Sequence, residues 1–391
     1  MKILIIGAGM YVTGRDNTGV GTILSSIAES SKNINIEKVM IVAKQSSNKN
    51  KIQKAIKRIN NDLGSNISVE YHQLKNDTIN EIYELCGNIK FDASVIAIPD
   101  HLHFIYTKAL LENNVHCIVV KPLAPSFREA KQLQKIQVKN NCHAVVEFHK
   151  RWDETNLYVK RIFKENKLGD PIFFSVDYSQ KINIPTKIFR KWVEKTNIFQ
   201  YLGVHYVDLF YFLTGYKPYK AMAIGVRGTL FNRGINTFDS VHAIIIWKKN
   251  KNTNSECITN YNISWIDPNC TSAMSDQKYK LIGTKGRVDC NQKNRGLEVV
   301  CEDEGIITPN PYFSEYLPDE TGGLYFSGYA HKSIYRFLND VNSLITGKVI
   351  IENINNDRPS FSDSLVSSVV IDAVNNSLNN DSSWVDIKDI N

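Results

Sequence analysis

Residues 1–30 read MKILIIGAGMYVTGRDNTGVGTILSSIAES. An apolar run, Ile3–Ile6, ends in glycines, and a helix-like stretch, Ile23–Ser30, follows. A strand, a glycine turn and a helix in that order open a dinucleotide-binding βαβ unit. The spacing is irregular. Gly7 and Gly9 fit the first two places of G-x-G-x-x-G, but Val12 holds the third, and Gly19 and Gly21 come ten residues later. Such a unit occupies about 30 residues, whereas Lys2 to Ala43, the end of the next apolar run, spans 42. The excess matches the stretch between Gly9 and Gly21. The reading is therefore a phosphate loop split by an insertion over Met10–Val20, with the helix starting after Gly21. Gly7 and Gly9 then allow close backbone approach to a pyrophosphate, and Gly21 allows close packing of helix on strand. Met10 and Thr22 flank that site. Arg15, inside the insertion, is expected to touch an anionic group; the alternative is a surface loop used between subunits.

Further continuous apolar runs, Val39–Ala43, Ala93–Ile98 and Cys117–Val120, suit strands buried on both faces of a parallel sheet. Helical patterns over Thr78–Leu85 and Phe104–Glu112 lie between them. About 20 residues past the glycines an acidic residue normally meets the ribose 2′-hydroxyl. Here Lys44-Gln45-Ser46-Ser47 stands instead, which favours NADP over NAD, with Lys44 near the 2′-phosphate. Ligands of such sheets sit beyond the carboxyl ends of the strands. That places Ile98, Pro99 and His103 near the cofactor and Lys121 where a nicotinamide would lie. A lysine there can donate to a substrate hydroxyl or its alkoxide.

After Ala144–Phe148 the pattern changes. The runs IFFSVDY, HAIIIWKK, ECITNYNISW and KYKLIGTKGRVDC are longer and more interrupted, as in an open, largely antiparallel sheet. Late helices are expected near His331–Leu344 and Ser362–Leu378. The expected fold is α/β: a doubly wound Rossmann domain over 1–122, then an α/β domain for substrate and oligomerisation over 123–391, whose last helix packs back on the first. In NIFQYLGVHYVDLFYFLTG, His205 and Asp208 share one helix face. His205 suits general acid–base work; the plainer reading is a core histidine. In VVEFHKRWDE, Lys150 and Arg151 are candidates for substrate contact.

The 391 residues are 42% hydrophobic and 22% charged, an ordinary globular balance for two domains. No apolar run reaches membrane length, and the first residues lack a signal-peptide pattern, so no membrane partner and a cytoplasmic location are expected. Seven scattered cysteines without C-x-x-C suggest reduced thiols and no metal site. The net charge of +7 includes Lys49, Lys51, Lys54, Lys57 and Arg58, read as a solvated helix face. No recognition motif accompanies it, so no nucleic-acid partner is expected.

The glycine strand, IAIPDHLH, the Lys-Pro strand end and GVHYVDLFYFLTG, in this order, resemble the Gfo/Idh/MocA oxidoreductases, named for glucose-fructose oxidoreductase and inositol dehydrogenase. GTKGRVDC and SFSDSLVSSVVIDAVNNSL extend the resemblance over nearly the whole chain. It implies a homodimer or homotetramer built through the C-terminal sheet. It also implies hydride transfer between NAD(P) and a carbinol of a sugar, cyclitol or nucleotide sugar. The family's catalytic Lys and His fall on Lys121 and His205, and its substrate-facing Arg on Arg151. Val120 replaces the Glu before the Lys, and Tyr201 the Asp four residues before the His, leaving Tyr201 as a donor to substrate. Open alternatives are a redox-neutral enzyme of the same fold, a dinucleotide-binding sensor, and an imine or tetrapyrrole reductase.

Overall fold

β1 (Lys2–Ile6) is buried from Ile3 onward because a parallel strand flanks each of its edges. The computed structural model describes residues 1–14, 21–75, 77–250, 256–303, 305–354 and 357–388, so Arg15 lies outside the described residues. A single helical turn, α1 (Met10–Thr13), starts directly after Gly9, and the Val12 and Thr13 amides donate to the Gly9 carbonyl at 2.9 and 3.1 Å. α2 (Thr22–Ser30) starts directly after Gly21. The insertion therefore begins one turn later than Met10. Its ends meet: a Cβ on Gly21 would lie 2.6 Å from the Val12 carbonyl oxygen.

β2 (Lys38–Ala43), α3 (Asn48–Leu63), β3 (Val69–Gln73), α4 (Thr78–Asn88), β4 (Ala93–Ile96), α5 (His103–Glu112), β5 (His116–Val120), α6 (Phe127–Lys139) and β6 (Ala144–Glu147) follow. The six strands are all parallel, in the order β3-β2-β1-β4-β5-β6. That is the doubly wound dinucleotide arrangement. β3 carries no apolar run to read, because its residues VEYHQ form a half-exposed edge. In α3, Ile52, Ala55, Ile59 and Leu63 form the buried stripe and leave Lys49, Lys54 and Lys57 exposed.

The next elements are α7 (Glu154–Lys164), β7 (Pro171–Lys181), α8 (Val204–Thr214), β8 (Lys217–Val226), β9 (Ser240–Lys248), β10 (Glu256–Asp267), β11 (Ser275–Gly283) and β12 (Arg287–Asn291). Their strands join in the order β12-β11-β7-β10-β9-β8. Only β7 and β10 pair in parallel among these described strands. Val241, Ala243, Ile245 and Trp247 of β9 alternate inward with period two. Phe210 of α8 packs on this face, 5.4 Å from the Phe174 ring and 4.9 Å from that of Trp247.

After the hairpin β13 (Val299–Cys301) and β14 (Gly305–Ile307), the chain supplies β15 (Glu315–Pro318), β16 (Leu324–Ser327) and α9 (Tyr329–Ile345). Phe326, Ile334, Phe337 and Leu338 share a core with Ile23, Leu24 and Ile27 of α2. α10 (Phe361–Asn379) follows, and β17 (Val385–Asp386) extends the mixed sheet beside β8. Two compact units result, one of residues 1–124, 128–153 and 311–364, the other of 125–127, 154–310 and 365–391. The single cut expected at 122 is thus corrected. The apolar face of α2 needs a cover, and a segment three hundred residues downstream provides it. α9 returns to the first unit, and so do the first residues of α10, where Asp363 pairs with Arg151 at 3.0 Å. Beyond Ser364, α10 belongs to the second unit, where the Ala223 amide donates to Ser377 Oγ at 2.9 Å.

Gly21→Ala would press a methyl against backbone that has no rotamer to escape into. We expect a loss of about 1–3 kcal/mol, read as a lower Tm by calorimetry. An unchanged Tm would show that the loop ends are not apposed.

Candidate active site

In the first unit the turn after β1 is bare backbone. Gly7 has φ 104°, and a Cβ there would collide with the Ala97 carbonyl at the end of β4. Gly9 has no atom within 4 Å of where its Cβ would stand. A glycine held open toward empty space is what close approach of a pyrophosphate requires. Met10 is half-buried beside it. Thr22 is buried, and its hydroxyl lies 3.2 Å from Ser314 Oγ. At the end of β2, Tyr71 OH lies 3.0 Å from the Ala43 carbonyl oxygen and 2.6 Å from that of Gln45. Gln73 Nε2 donates to the Lys44 carbonyl at 3.1 Å. The turn is pinned through its carbonyls toward β3, while the Lys44, Ser46 and Ser47 side chains stay exposed.

Lys121 follows the last residue of β5, and its peptide bond to Pro122 is cis. The side chain is half-buried, and the protein crowding its ammonium strips hydration and lowers its pKa from 10.5 to about 7. The carboxylates of Asp100 and Glu147 pull the other way. Asp100, 4% exposed, accepts from the His101 amide at 2.8 Å. His103 is fully buried; its Nδ1 lies 2.7 Å from the Pro122 carbonyl oxygen and its Nε2 2.9 Å from that of Ile98. A neutral imidazole donates from one nitrogen only. Burial lowers the His103 pKa and opposes the second proton, against Asp100 and the two carbonyls, which favour it. Either way, both nitrogens face the chain, so His103 braces the ends of β4 and β5. Ile98 and Pro99 are half-buried at the same edge.

Beyond β6 the chain makes a tight turn, His149–Trp152. Lys150 and Arg151 are both buried. Arg151 Nη1 lies 3.0 Å from the Asp363 carboxylate. That pairing fixes the guanidinium within the first unit, which favours an internal brace over a substrate contact.

In the second unit a widened turn, Phe199–Gly203, leads into α8. Gly203 is required, since a Cβ would stand 2.7 Å from the Phe199 ring. Three amides hold this turn. Asn197 Nδ2 donates to Asn375 Oδ1 at 2.7 Å, Asn375 Nδ2 to Gln200 Oε1 at 3.1 Å, and the Gln200 amide to Asn197 Oδ1 at 2.9 Å. They anchor the start of α8 to α10. His205 and Asp208 are both buried on α8. Tyr201 is half-buried among rings, 5.0 Å from Phe189, 6.4 Å from Trp192 and 6.3 Å from Trp265 between centroids.

All the described cofactor candidates thus stand at the carboxyl edge of the parallel sheet, while His205, Tyr201 and Asp208 belong to the other unit. Sequence reasoning missed Asp100 and Glu147 as charge partners of Lys121, and the amides around α8. Glu147 carried a signal: an acidic residue closing an apolar strand run has no plain structural reason.

The parallel sheet with its glycine turn defines a dinucleotide-binding Rossmann fold, followed by a mixed-sheet unit. Residues 1–148 match the oxidoreductase family with NAD-binding Rossmann fold, and 156–289 match the GFO/IDH/MocA C-terminal domain. The chain belongs to the Gfo/Idh/MocA oxidoreductase family. It is 23% identical over 136 residues to scyllo-inositol 2-dehydrogenase (NADP(+)) IolW of Bacillus subtilis, a match covering 34% of this chain and 37% of that relative. Scyllo-inositol dehydrogenase of Lactobacillus casei, solved with NAD(H) and scyllo-inositol, superposes with TM-score 0.68 at 16% identity, over 99% of this chain and 98% of that one. Myo-inositol 2-dehydrogenase of Lactobacillus plantarum gives 0.69 at 18%, over 99% of each. At such identities the likeness is one of fold. Among the described residues no helix is long and apolar enough to cross a membrane.

Proposed function

We propose that the protein transfers a hydride between NAD(P) and a carbinol of a sugar or cyclitol. The observation that carries this is Lys121: a crowded ammonium at the carboxyl end of β5, within the field of the Asp100 and Glu147 carboxylates, at the sheet edge where dinucleotides bind. Gly7, Gly9, Met10, Gly21, Thr22, Ile98 and Pro99 fit a dinucleotide, which when bound supplies the hydride acceptor or donor. Lys121 donates to the carbinol oxygen and stabilises negative charge as it develops. His205 takes the hydroxyl proton, and in the reverse direction returns it. Tyr201, Lys150 and Asp208 orient the substrate, and Arg151, paired with Asp363, holds the turn after β6. Inositol-type substrates are the first to test, because two of the similar proteins are named for scyllo-inositol.

NADP is the favoured cofactor. The exposed Lys44, Ser46 and Ser47 stand where a ribose phosphate would lie, and no carboxylate stands among them. The protein is also read as a homodimer or homotetramer through the open sheet face. There Ile246, Ile258, Phe173 and Ile282 form one apolar row in register across four strands. A second row is polar: His242 Nδ1 lies 3.0 Å from Asn262 Oδ1, and Asn262 Nδ2 donates to Asp177 Oδ1 at 2.8 Å. An apolar row beside a polar one suits a specific contact between copies.

Lys121→Ala and His205→Ala are each expected to lower turnover of scyllo- or myo-inositol by about a hundredfold or more, with cofactor affinity by calorimetry near normal. Full activity in either variant refutes the assignment. The charged form of Lys121 exists below its pKa of about 7. Carbinol oxidation that needs it should fall as pH rises through that value. Lys44→Asp should weaken NADP and favour NAD, changing the ratio of kcat/KM values by about tenfold or more; an unmoved ratio places the 2′-phosphate elsewhere. Ile258→Asp, a buried charge if the sheet face is an interface, should reduce the mass measured by light scattering to that of one chain. A native assembly in that variant excludes this face.

A further inference from the structure

His149 has no role so far, and Glu147 has entered only as one of two charges acting on Lys121. In the parallel ladder of β5 and β6, Val120 lies opposite Glu147. Lys121 is the next residue after Val120, so its backbone leaves β5 next to the end of β6, where Glu147 stands. Glu147 is 3% exposed and closes its strand. The chain then folds back sharply: the Phe148 amide donates to the Val146 carbonyl at 2.8 Å, and the Arg151 amide to that of Phe148 at 3.0 Å. The fold-back returns His149 onto its neighbour, with Nδ1 at 3.0 and 3.2 Å from the two Glu147 oxygens. The ring is held in turn, edge-on to Phe313 at 5.2 Å and tilted on Tyr329 at 5.6 Å. All of these residues belong to the first unit.

A buried carboxylate is retained only where something charged or hydrogen-bonding compensates it. His149 supplies one hydrogen bond, and the Lys121 ammonium is the charge that feels Glu147. The other charged and titratable groups around Lys121 are Asp100 on the turn after β4 and His103 at the start of α5. On the turn after β6, Lys150 is buried and Arg151 is tied to Asp363. Asp100 is partly engaged, because its carboxylate accepts the His101 amide.

We propose that Glu147, held by His149, is a positioning residue that keeps the Lys121 ammonium charged and fixed at the carboxyl edge of the sheet. This rests on the reading of Lys121 as the group that polarises the carbinol oxygen. The carboxylate makes no contact with substrate in this role. It acts through Lys121, opposing the crowding that drives the ammonium to lose its proton. His149 keeps the carboxylate from turning away.

The test reads Lys121 directly, without substrate, in the full chain. Isotope-labelled lysine at Cε gives a resonance for Lys121, assigned by its loss in Lys121→Met, and its shift is followed against pH. In Glu147→Gln, which keeps the shape and removes the charge, the Lys121 midpoint should fall by about one pH unit. Glu147→Asp retains the charge one methylene further back and should lower the midpoint by less than Glu147→Gln does. If the Gln variant does not fold, Glu147→Asp alone still reports, since withdrawing the carboxylate by one methylene should lower the midpoint measurably. A midpoint unmoved in whichever variants fold overturns the proposal. The outcome is separate from catalysis: an active Lys121→Met protein would remove the catalytic reading and leave the pairing to stand or fall on its titration.

Discussion

A parallel sheet must be covered on both faces, and that constraint organises the first unit. β1, β4 and β5 run as continuous apolar strands with neighbours on both edges. Burial at about 25 cal/mol per Å² of apolar surface rewards covering them. The local helices supply part of the cover, but α2 has an apolar flank of its own. α9 closes that flank from far along the chain, with β15 and β16 beside it. Two hydrogen bonds fix the hairpin's position: Ser25 Oγ lies 2.6 Å from Tyr316 OH, and the Phe326 amide donates to Glu29 at 3.0 Å. The same parallel arrangement brings every strand's carboxyl end to one edge. The site is there because the topology leaves that edge free of crossover helices' bodies.

Placing an ammonium at that edge opposes folding, and the opposition has a sign. The folded chain releases the Lys121 proton near pH 7, while the unfolded chain holds it to 10.5. The unfavourable contribution is therefore complete below pH 7 and fades as pH rises toward 10.5. The carboxylates of Asp100 and Glu147 reduce it. The pair Arg151–Asp363 and the bidentate pair of Arg358 with Asp340, at 2.6 and 3.1 Å, tie down flanking segments of the same unit. A charge already paired within the unit, as Arg151 is with Asp363, serves geometry first.

The sequence pattern carried most of the fold because strands buried on both faces leave unbroken apolar runs, as Ile3–Ile6 and Cys117–Val120 do. It failed at β3, whose half-exposed edge alternates polar residues, and at β8, where Lys217, Tyr219 and Lys220 interrupt the apolar positions. It singled out Gly7, Lys121 and His205 as candidates, because a glycine turn, a Lys-Pro strand end and a helix-borne His are local features. It could not supply the partners of those groups. Glu147 meets Lys121 through strand register, and Asn197 meets Asn375 from the other end of the second unit. Such contacts follow from pairing and packing rather than spacing along the chain.

The split glycine loop shows how length can be added without losing the motif. α1 keeps the first turn in place against Gly9, and Gly21 returns the chain to within contact of that turn before α2 begins. The helix is interrupted, but its first turn and its remainder stay packed together. A loop whose ends already touch costs little more as it lengthens, about 0.6 kcal/mol for each doubling. The strict requirement falls on the two junctions. Gly14, with φ 87°, lets the chain leave after Thr13, and Gly21, with no side chain, lets it come back under the Val12 carbonyl. The irregular spacing of the opening glycines is the imprint of these two junctions. Gly7 and Gly9 still serve the turn after β1, and Gly21 has been taken over for closing the insertion.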